Sequence, residues 1–395
     1  MRKEDTYGLQ NRVRLLWDAA AYFERLVARI DSAREVVHFQ VYILANDHTG
    51  HLVMDALIRA ARRGVRVFVL LDAFGSSDLD EGSIEAMRAA GAHVRSFQPI
   101  WRSPRFRFGR RLHHKVCVVD DHIAFVTGRN AADRYNDIGG APAWRDVAVE
   151  VEGEAAWRLA RVCCGIWNGG PLKIGGNTRC EPPRAGVRRA IITSFGQGRM
   201  CPVRVRRNDR LKGRNEITRS YRTLFREAER EVLLMGSYFL PGPGVQGWMR
   251  QAVRRGVDVR VVLAGPSDIW LSKYAERHLY ARLLEGGVRL YELLPTVLHA
   301  KVAVRDAAWC TVGSFNVNRL SDHASIELNL DIADVAFGQS LAQEIHDVIA
   351  DQCREVTREE LARAHWWSRL GCWSAYVIAR ALLAVFAVRY RRDVA

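Results

Sequence analysis

The feature that most constrains the fold of this chain is an internal duplication. The segment EVVHFQVYIL begins at Glu35 and is followed by AARRGVRVFVLLDA from Ala60, whereas EVLLMGSYFL begins at Glu231 and is followed by AVRRGVDVRVVLAG from Ala252. Each copy joins an apolar strand, a helix with a basic end, a glycine turn and a second apolar strand, which is the pattern of a βαβ unit. Such units favour a mostly parallel sheet covered by helices. We therefore expect an α/β fold with two similar halves.

The two copies are separated by a stretch rich in glycine, proline and polar residues, 168–186, which has the composition of a linker. We predict a first domain over residues 1–170, a second over residues 187–352, and a C-terminal segment over residues 353–395. The length of 395 residues suits two domains of ordinary size.

Each half also carries the spacing H-x-K-x-x-x-x-D. The residues of the two motifs are His113, Lys115 and Asp120, and His299, Lys301 and Asp306. Valines dominate the gaps, so each motif predicts a strand, and alternation along a strand places its histidine and lysine on one face. His114 then points to the opposite face. An imidazole beside a fixed cation is an arrangement suited to hydrolysis or group transfer.

Small and polar residues follow each motif at similar distances. They are Gly128 and Asn130 in the first half, and Gly313, Ser314 and Asn316 in the second. Glycine permits close backbone approach, and amide and hydroxyl groups can hydrogen-bond phosphate oxygens. We therefore expect a phosphate-binding site.

The doubled motif and its Gly/Asn turns resemble the phospholipase D superfamily. Within it, the segments RRLHHKVCVVDDHIAFVTGRN and LHAKVAVRDAAWCTVGSFNVN and the pair Trp366-Trp367 resemble bacterial cardiolipin synthases of the shorter type, which lack N-terminal transmembrane helices. The resemblance implies two duplicated domains, each a mixed, mostly parallel sheet flanked by helices, packed as a pseudo-twofold pair. Thr127 departs from the family pattern, because a second glycine is usual before Gly128.

The resemblance also implies a mechanism. His113 attacks a phosphodiester to give a phosphohistidine, and His299 serves first as acid and then as base. Lys115 and Lys301 neutralise the phosphoryl oxygens together with Asn130, Ser314 and Asn316. Two lysines supply the cationic clamp that a metal supplies elsewhere, so we expect no metal and no other cofactor.

Carboxylates complete the expected site. Asp146 and Glu327 occupy positions where relatives keep a carboxylate that orients a motif histidine; the alternative is an ion pair with one of the many arginines. Asp120 and Asp306 belong to the catalytic motifs, and we expect them to be structural supports near the site.

The formal net charge of +15 favours an anionic partner. Basic residues interleaved with aromatic ones occupy Trp101 to Arg111, and a second basic run extends from Arg204 to Arg214. Both suit a phosphate-rich lipid surface or single-stranded nucleic acid, and the alternative is a solvated loop. The eight cysteines lack zinc spacing and indicate a reducing compartment.

The tail is largely apolar from Trp366 onward. Arg369, Arg380 and Arg391 recur every eleven residues, about three helical turns, and form one polar stripe. This pattern predicts a helix lying in the membrane interface, with tryptophans at headgroup level. The alternative is a helix packed against the protein.

We expect transfer of a phosphatidyl group from phosphatidylglycerol to a second phospholipid, most simply another phosphatidylglycerol, giving cardiolipin and glycerol. The alternatives are a phospholipase D that uses water, a nuclease of the same superfamily and a non-catalytic membrane-binding protein. Expected partners are the phospholipid substrate and an anionic membrane surface, without nucleic acid, and one chain completes the site without an oligomer. The expected location is the bacterial inner membrane, with peripheral or monotopic attachment at the cytoplasmic face.

Overall fold

The computed structural model describes residues 6–97, 111–140, 142–169, 173–174, 178–195, 200–209, 213–318, 321, 325–363 and 365–392. The basic aromatic segment from Trp101 to Arg110 lies outside the described residues, as do Arg210 and Lys212 of the second basic run.

Within the described residues, the first half forms a sheet of eight strands. Their spatial order is β1 (Asn11–Leu16), β8 (Ala148–Gly153), β7 (Ile123–Thr127), β6 (Lys115–Val119), β2 (Val36–Val41), β3 (Arg66–Asp72), β4 (His93–Phe97) and β9 (Lys173–Ile174). Strands β2, β3 and β4 are parallel to one another, and the remaining neighbours pair in antiparallel fashion.

The second half repeats this arrangement. Its strands, in spatial order, are β11 (Arg214–Asn215), β10 (Val203–Asp209), β17 (Ser325–Ile332), β16 (Trp309–Gly313), β15 (Lys301–Arg305), β12 (Glu231–Gly236), β13 (Asp258–Ala264), β14 (Arg289–Leu293) and β18 (Cys353–Val356). A strand of the first half, β5 (Arg111–Leu112), pairs with β17. Because β18 pairs with β14, this sheet extends beyond the predicted domain boundary at residue 352.

Helices cover both sheets. In chain order they are α1 (Ala19–Asp31), α2 (His48–Arg62), α3 (Glu81–Ala89), α4 (Glu154–Asn168), α5 (Ala185–Ser194), α6 (Glu216–Glu227), α7 (Pro243–Arg254), α8 (Trp270–Glu285), α9 (Val335–Gln352), α10 (Arg358–Arg363) and α11 (Trp366–Arg392). An aspartate precedes several of them and accepts a backbone N–H of the first turn, which stabilises the helix start. These caps are Asp18, Asp47, Asp80 and Asp334.

The predicted α/β class with mixed sheets is confirmed, but parallel pairs are a minority in both sheets. The reason lies in the turn that ends each motif strand. Asp120 and Asp121 have φ of 49° and 60°, and Asp306 and Ala307 have φ of 52° and 51°. Two consecutive residues with positive φ form a tight hairpin turn, so the next strand returns in antiparallel fashion. Within each half, only the βαβ portion supplies parallel pairs; a further parallel pair, β5 with β17, joins the two halves.

The core is arranged in layers. Helices α4 and α9 lie between the two sheets, and their buried side chains, such as Leu159 and Leu341, join one apolar cluster with strands of both halves. Helices α1 and α2 pack on the outer face of the first sheet, and α6, α7 and α8 on the outer face of the second. The contacts across the halves are reciprocal: α4 contacts β10, and α9 contacts β1. The helix that each half places between the sheets therefore contacts the matching strand of the other half.

The described part of the second basic run belongs to the fold rather than to a basic surface. Arg204 and Arg206 lie on β10 and approach the buried carboxylate of Asp331 at 2.9 and 3.5 Å. Arg214 pairs with Glu216 at 2.8 Å. The expected lipid or nucleic-acid role is wrong for these arginines, because buried charges require nearby counter-charges.

The tail forms a helix with one protected side. Helix α11 lies along α8, where the ring centroids of Tyr376 and His278 are 4.6 Å apart. Trp366, Trp367 and Trp373 are exposed. Of the helices in the described residues, none is long and apolar enough to span a membrane.

Candidate active site

Backbone hydrogen bonds join the two halves beside each motif histidine. The N–H of His113 donates to the carbonyl oxygen of Ile326 at 3.1 Å, and the N–H of His299 donates to that of Arg145 at 2.8 Å. The residues that follow the two acceptors are carboxylates, Glu327 and Asp146. Each histidine is thus set beside a carboxylate of the other half.

The first histidine is held by Glu327. Nδ1 of His113 lies 2.9 and 3.0 Å from the two carboxylate oxygens, and the Ser314 hydroxyl donates to one of them at 2.5 Å. The Tyr42 ring packs edge-on to the imidazole with centroids 5.2 Å apart. When Nδ1–H donates to Glu327, the lone pair on Nε2 is free to attack an electrophile. Ser314 therefore positions the carboxylate in this structure.

The second histidine is held by Asp146. Nδ1 of His299 lies 2.7 Å from the carboxylate, which packs against Gly128. A Cβ at Gly128 would lie 2.5 Å from Asp146, so glycine is required for this approach. Thr127 preserves the turn, because its hydroxyl donates to the carbonyl oxygen of Val147 at 2.9 Å.

The motif lysines are buried between the histidines. Burial lowers the pKa of Lys115 to about 7 and that of Lys301 to about 8. Repulsion from Lys301 also contributes to the lowered pKa of Lys115 and of His113, and repulsion from Lys115 contributes to that of His299. Because the lysine of each half lowers the pKa of a group in the other half, the two lysines and the two histidines form one site. Two buried ammonium groups favour an anion there.

Both imidazoles are neutral at neutral pH. Burial lowers the pKa of His113 against the opposing effect of Glu327, and burial with the nearby lysines lowers the pKa of His299 well below its usual value. The His113 side chain is 16% exposed and that of His299 is 5% exposed. The imidazole of His113 is therefore the more accessible of the two.

The predicted asparagines lie within the site. Asn130 donates from Nδ2 to the Tyr135 hydroxyl at 2.9 Å, and this hydroxyl lies 3.4 Å from Nε2 of His299. Asn316 accepts from the Ser237 hydroxyl at 2.9 Å. A hydrogen-bond chain therefore extends from Asn130 through Tyr135 to Nε2 of His299, whose Nδ1 lies 2.7 Å from Asp146 and 2.9 Å from Nζ of Lys301.

The motif aspartates lie apart from the histidines. The Asp120 carboxylate accepts the backbone N–H groups of Arg34, Glu35 and Val36, at the opposite end of β2 from the site. Asp306 has a similar role in the second half, where it accepts the N–H groups of Glu229, Arg230 and Glu231. A five-residue strand, about 16 Å, separates each aspartate from its histidine. They are structural supports, and the expectation that they lie near the site is wrong.

His114 points away from its neighbour, as strand alternation predicts. It is buried, and its Nε2 lies 3.0 Å from the side-chain oxygen of Gln40 on β2. Burial lowers its pKa to about 3. It is therefore a neutral core histidine.

Sequence reasoning missed an aromatic enclosure around His299. The ring centroids of Tyr135, Trp144 and Tyr238 lie 5.0, 5.9 and 6.2 Å from that of the imidazole. A signal was present for two of them, because Tyr135 closely follows Asn130 and Trp144 closely precedes Asp146 in the sequence. These rings restrict access of water to the second histidine.

A duplicated sheet pair with two facing H-x-K motifs defines a phospholipase D-like enzyme. The family profile described as "Cardiolipin synthase, PLD-like domain" matches residues 26–139 and 221–349. The chain belongs to this family, which confirms the expectation from its motifs.

Named relatives cover most of the chain. Cardiolipin synthase B of Salmonella typhimurium is 33% identical over 91% of this chain and 85% of the relative. Cardiolipin synthase A of Pseudomonas putida is 30% identical over 93% of this chain and 74% of the relative. The crystal structure of a Haemophilus influenzae phosphatidylserine synthase is similar in fold, with a TM-score of 0.73, 15% identity and 97% coverage of both chains.

Proposed function

We propose that this enzyme transfers a phosphatidyl group from one phosphatidylglycerol to the hydroxyl of another, producing cardiolipin and glycerol. The observation that carries the proposal is the shared site, in which two neutral histidines, each paired with a carboxylate of the other half, flank two buried lysines. The named cardiolipin synthases that match this chain over most of its length support the choice of substrate.

In the first step, Nε2 of His113 attacks the phosphorus while Glu327 stabilises the cationic imidazole that forms. The P–O bond to glycerol breaks, and His299 donates a proton to the leaving oxygen. The phosphodiester anion brings negative charge beside His299, which together with Asp146 favours the protonated form required for this step. The lysines stabilise the equatorial oxygens.

In the second step, His299 is the base. It takes the proton of the acceptor hydroxyl, the oxygen attacks phosphorus, and the bond to His113 breaks. Asn130 and Asn316 are proposed to orient phosphate oxygens, with Ser314 acting through Glu327. Microscopic reversibility requires the same groups in both directions, so added glycerol should drive the reaction backwards.

Water is the competing acceptor. Selective transfer requires a positioned lipid hydroxyl, and positioning supplies effective molarities of about 10⁵ M or more. The aromatic enclosure of His299, formed by Tyr135, Trp144 and Tyr238, supports exclusion of water at the base. The alternative, hydrolysis to phosphatidic acid, would need water to reach His299 freely.

A product analysis tests the proposal. Purified enzyme is incubated with phosphatidylglycerol vesicles, and lipids and free glycerol are quantified by mass spectrometry. Cardiolipin and glycerol should appear in equal amounts with little phosphatidic acid, and excess glycerol should lower the cardiolipin yield. Phosphatidic acid as the main product, insensitive to glycerol, would identify a hydrolase.

The surface formed by α8 and α11 supports peripheral attachment to an anionic membrane. Its exposed apolar residues are Ile269, Trp270, Tyr274, Trp366, Trp367, Leu370, Trp373, Val377 and Ile378. Aromatic side chains favour the headgroup region, and arginines such as Arg369 and Arg380 favour anionic lipids. The loop that begins α8 approaches the site, because Asp268 accepts from Tyr238 at 2.8 Å. We propose attachment at the cytoplasmic face of the bacterial inner membrane.

The domains are proposed to be the two sheet-containing halves, 1–170 and 187–352, followed by a membrane-associating segment, 353–395. The pairing of β18 with β14 favours moving the second boundary to Val356. Both histidines belong to one chain, so a dimer is not needed to complete the site, and nucleic acid is not an expected substrate.

A further inference from the structure

Arg134 lies on the His299 side of the site. It is exposed, and its guanidinium carbon is 5.5 Å from the ring centroid of Tyr135 and 5.2 Å from that of Trp144. The same two rings contact His299. Arg134 and the proposed base are therefore neighbours of the same aromatic pair, and the field of Arg134 contributes to the lowered pKa of His299.

The backbone of Arg134 is fixed. Its carbonyl oxygen accepts the N–H of Trp144 at 2.8 Å, and it lies in a 3₁₀ turn, Asp133–Tyr135. The Asp133 carboxylate accepts the N–H of Thr49 at 2.7 Å. Stacking on two rings restricts the guanidinium further, so little side-chain entropy is lost when it binds a ligand.

No carboxylate of the described residues lies within ion-pair distance of Arg134. In contrast, many other arginines of this chain, including Arg25, Arg59 and Arg204, are paired with acids. The guanidinium interacts with the Tyr135 hydroxyl, and its five donors leave others available for bidentate binding of a phosphate.

The proposed reaction supplies such a phosphate. In phosphatidylglycerol, roughly 6 Å separates the terminal hydroxyl oxygen from the phosphorus. When that hydroxyl reaches Nε2 of His299, the acceptor's own phosphate lies a short distance away. It is a second anion beside the phosphoryl group held by Lys115 and Lys301, and the repulsion between them requires a further cation.

We propose that Arg134 binds the phosphate of the acceptor lipid and thereby selects phospholipids over water and small neutral alcohols. This inference rests on the proposed function. The acceptor oxygen forms its bond to phosphorus as the bond to His113 breaks, and its proton passes to His299. Arg134 exchanges no proton and no electrons; it positions the attacking hydroxyl through the phosphate.

Two reactions measured in the same vesicles separate acceptor binding from the first step. One is cardiolipin formation from phosphatidylglycerol. The other is incorporation of labelled glycerol into phosphatidylglycerol, which forms the same phosphohistidine but uses an acceptor without a phosphate. For Arg134→Gln we expect cardiolipin formation to fall about tenfold or more, from the loss of a charge-assisted contact. Glycerol exchange should fall much less than cardiolipin formation, since its acceptor carries no phosphate and it senses only the weak effect of Arg134 on the pKa of His299.

Two variants serve as controls. Arg62→Gln removes an exposed arginine of α2 and measures the effect of lower net charge on vesicle binding; both reactions should be unchanged. Arg134→Lys keeps the charge but lacks the planar fork, so cardiolipin formation should be partly restored.

The outcomes are distinct. Equal loss of both reactions in Arg134→Gln would mean that Arg134 acts on the shared first step or on folding, and loss of neither would mean that it does not bind the acceptor; each overturns the inference. If the native enzyme exchanges glycerol but forms no cardiolipin, the proposed function itself has failed.

Discussion

At the residue scale, the different catalytic roles of the two histidines depend on their hydrogen-bond partners. His113 has an accessible imidazole held at Nδ1, whereas His299 is held at both ring nitrogens, by Asp146 and by the Tyr135 hydroxyl. A histidine that already accepts a weak hydrogen bond at Nε2 is prepared to take a proton there. These contacts favour His113 as nucleophile and His299 as acid and base.

If both histidines act at one phosphorus, the losses of turnover caused by replacing each of them should not add. His113→Ala and His299→Ala should each reduce turnover of phosphatidylglycerol by about 10³-fold or more, and the double variant should be no worse, because residues that act as a unit are non-additive. Steady-state cardiolipin formation provides the measurement. His114→Gln, which can keep a hydrogen bond to Gln40, is the matched control and should stay near the native rate. Substantial turnover in either single variant would argue for two separate sites.

The buried lysines predict the pH dependence. Their charged forms bind the phosphodiester, and their pKa values are lowered to about 7 and about 8, so the clamp loses charge as the pH rises through this range. For the free enzyme, kcat/KM should therefore fall on the alkaline side with a midpoint between about pH 7 and 8. In Lys115→Arg, residual activity should persist to higher pH, because guanidinium stays protonated. A flat profile up to about pH 10 would contradict the assigned lysine charges.

At the scale of elements, the sequence predicted the βαβ units because their signals are local. The turns at Gly64 and Gly256 have φ of 87° and 90°, as the Arg-Arg-Gly pattern indicates. The antiparallel return of the motif strands was missed although its signal was also local, because aspartate, as at Asp120 and Asp121, is one of the residues that favour the positive-φ positions of a tight hairpin turn. We interpreted those aspartates as part of the active site, and that interpretation hid their role in the turn.

The supporting role of Asp120 can be separated from catalysis. Asp120→Ala removes acceptors for three backbone N–H groups and should lower the free energy of unfolding by about 1–3 kcal/mol. The value of kcat per folded molecule should change by less than about twofold. Urea unfolding and active-site-normalised rates provide the two measurements. Asp121→Ala, at the next turn position, should lower the free energy of unfolding by less. A loss of kcat without a loss of stability in Asp120→Ala would show that Asp120 has a catalytic role.

At the scale of the whole molecule, the pairing of each histidine with its carboxylate could not be predicted from local pattern. Asp146 and His299 are separated by 153 positions, and Glu327 and His113 by 214. These contacts require the two halves to pack with α4 and α9 between the sheets. The resemblance named both carboxylates, but only the packed molecule assigns each to the histidine of the other half.

The tail should be removable without loss of the core. Ending the chain at Arg363 retains β18 and α10, whereas ending it at Asp351 would remove β18 from the second sheet. The shorter chain should unfold at a similar temperature and bind anionic vesicles at least about tenfold more weakly, with binding of the full chain falling as salt rises. Vesicle co-sedimentation and thermal unfolding measure the two effects. Trp366→Ser in the full chain is a less disruptive variant that should also weaken vesicle binding. If the truncated chain and Trp366→Ser both bind vesicles as the native chain does, α11 serves only to cover α8.

We propose that His113 holds the phosphatidyl group covalently and that His299 enables its release. The most direct measurement uses His299→Ala with phosphatidyl-p-nitrophenol, whose leaving group needs no acid. We predict a stoichiometric burst of nitrophenol, and mass spectrometry at alkaline pH should find the phosphatidyl adduct on the peptide that contains His113, because the base for the second step is missing. His113→Ala should give neither burst nor adduct. An adduct on His299 of the native enzyme, or a burst in His113→Ala, would show that His113 is not the nucleophile.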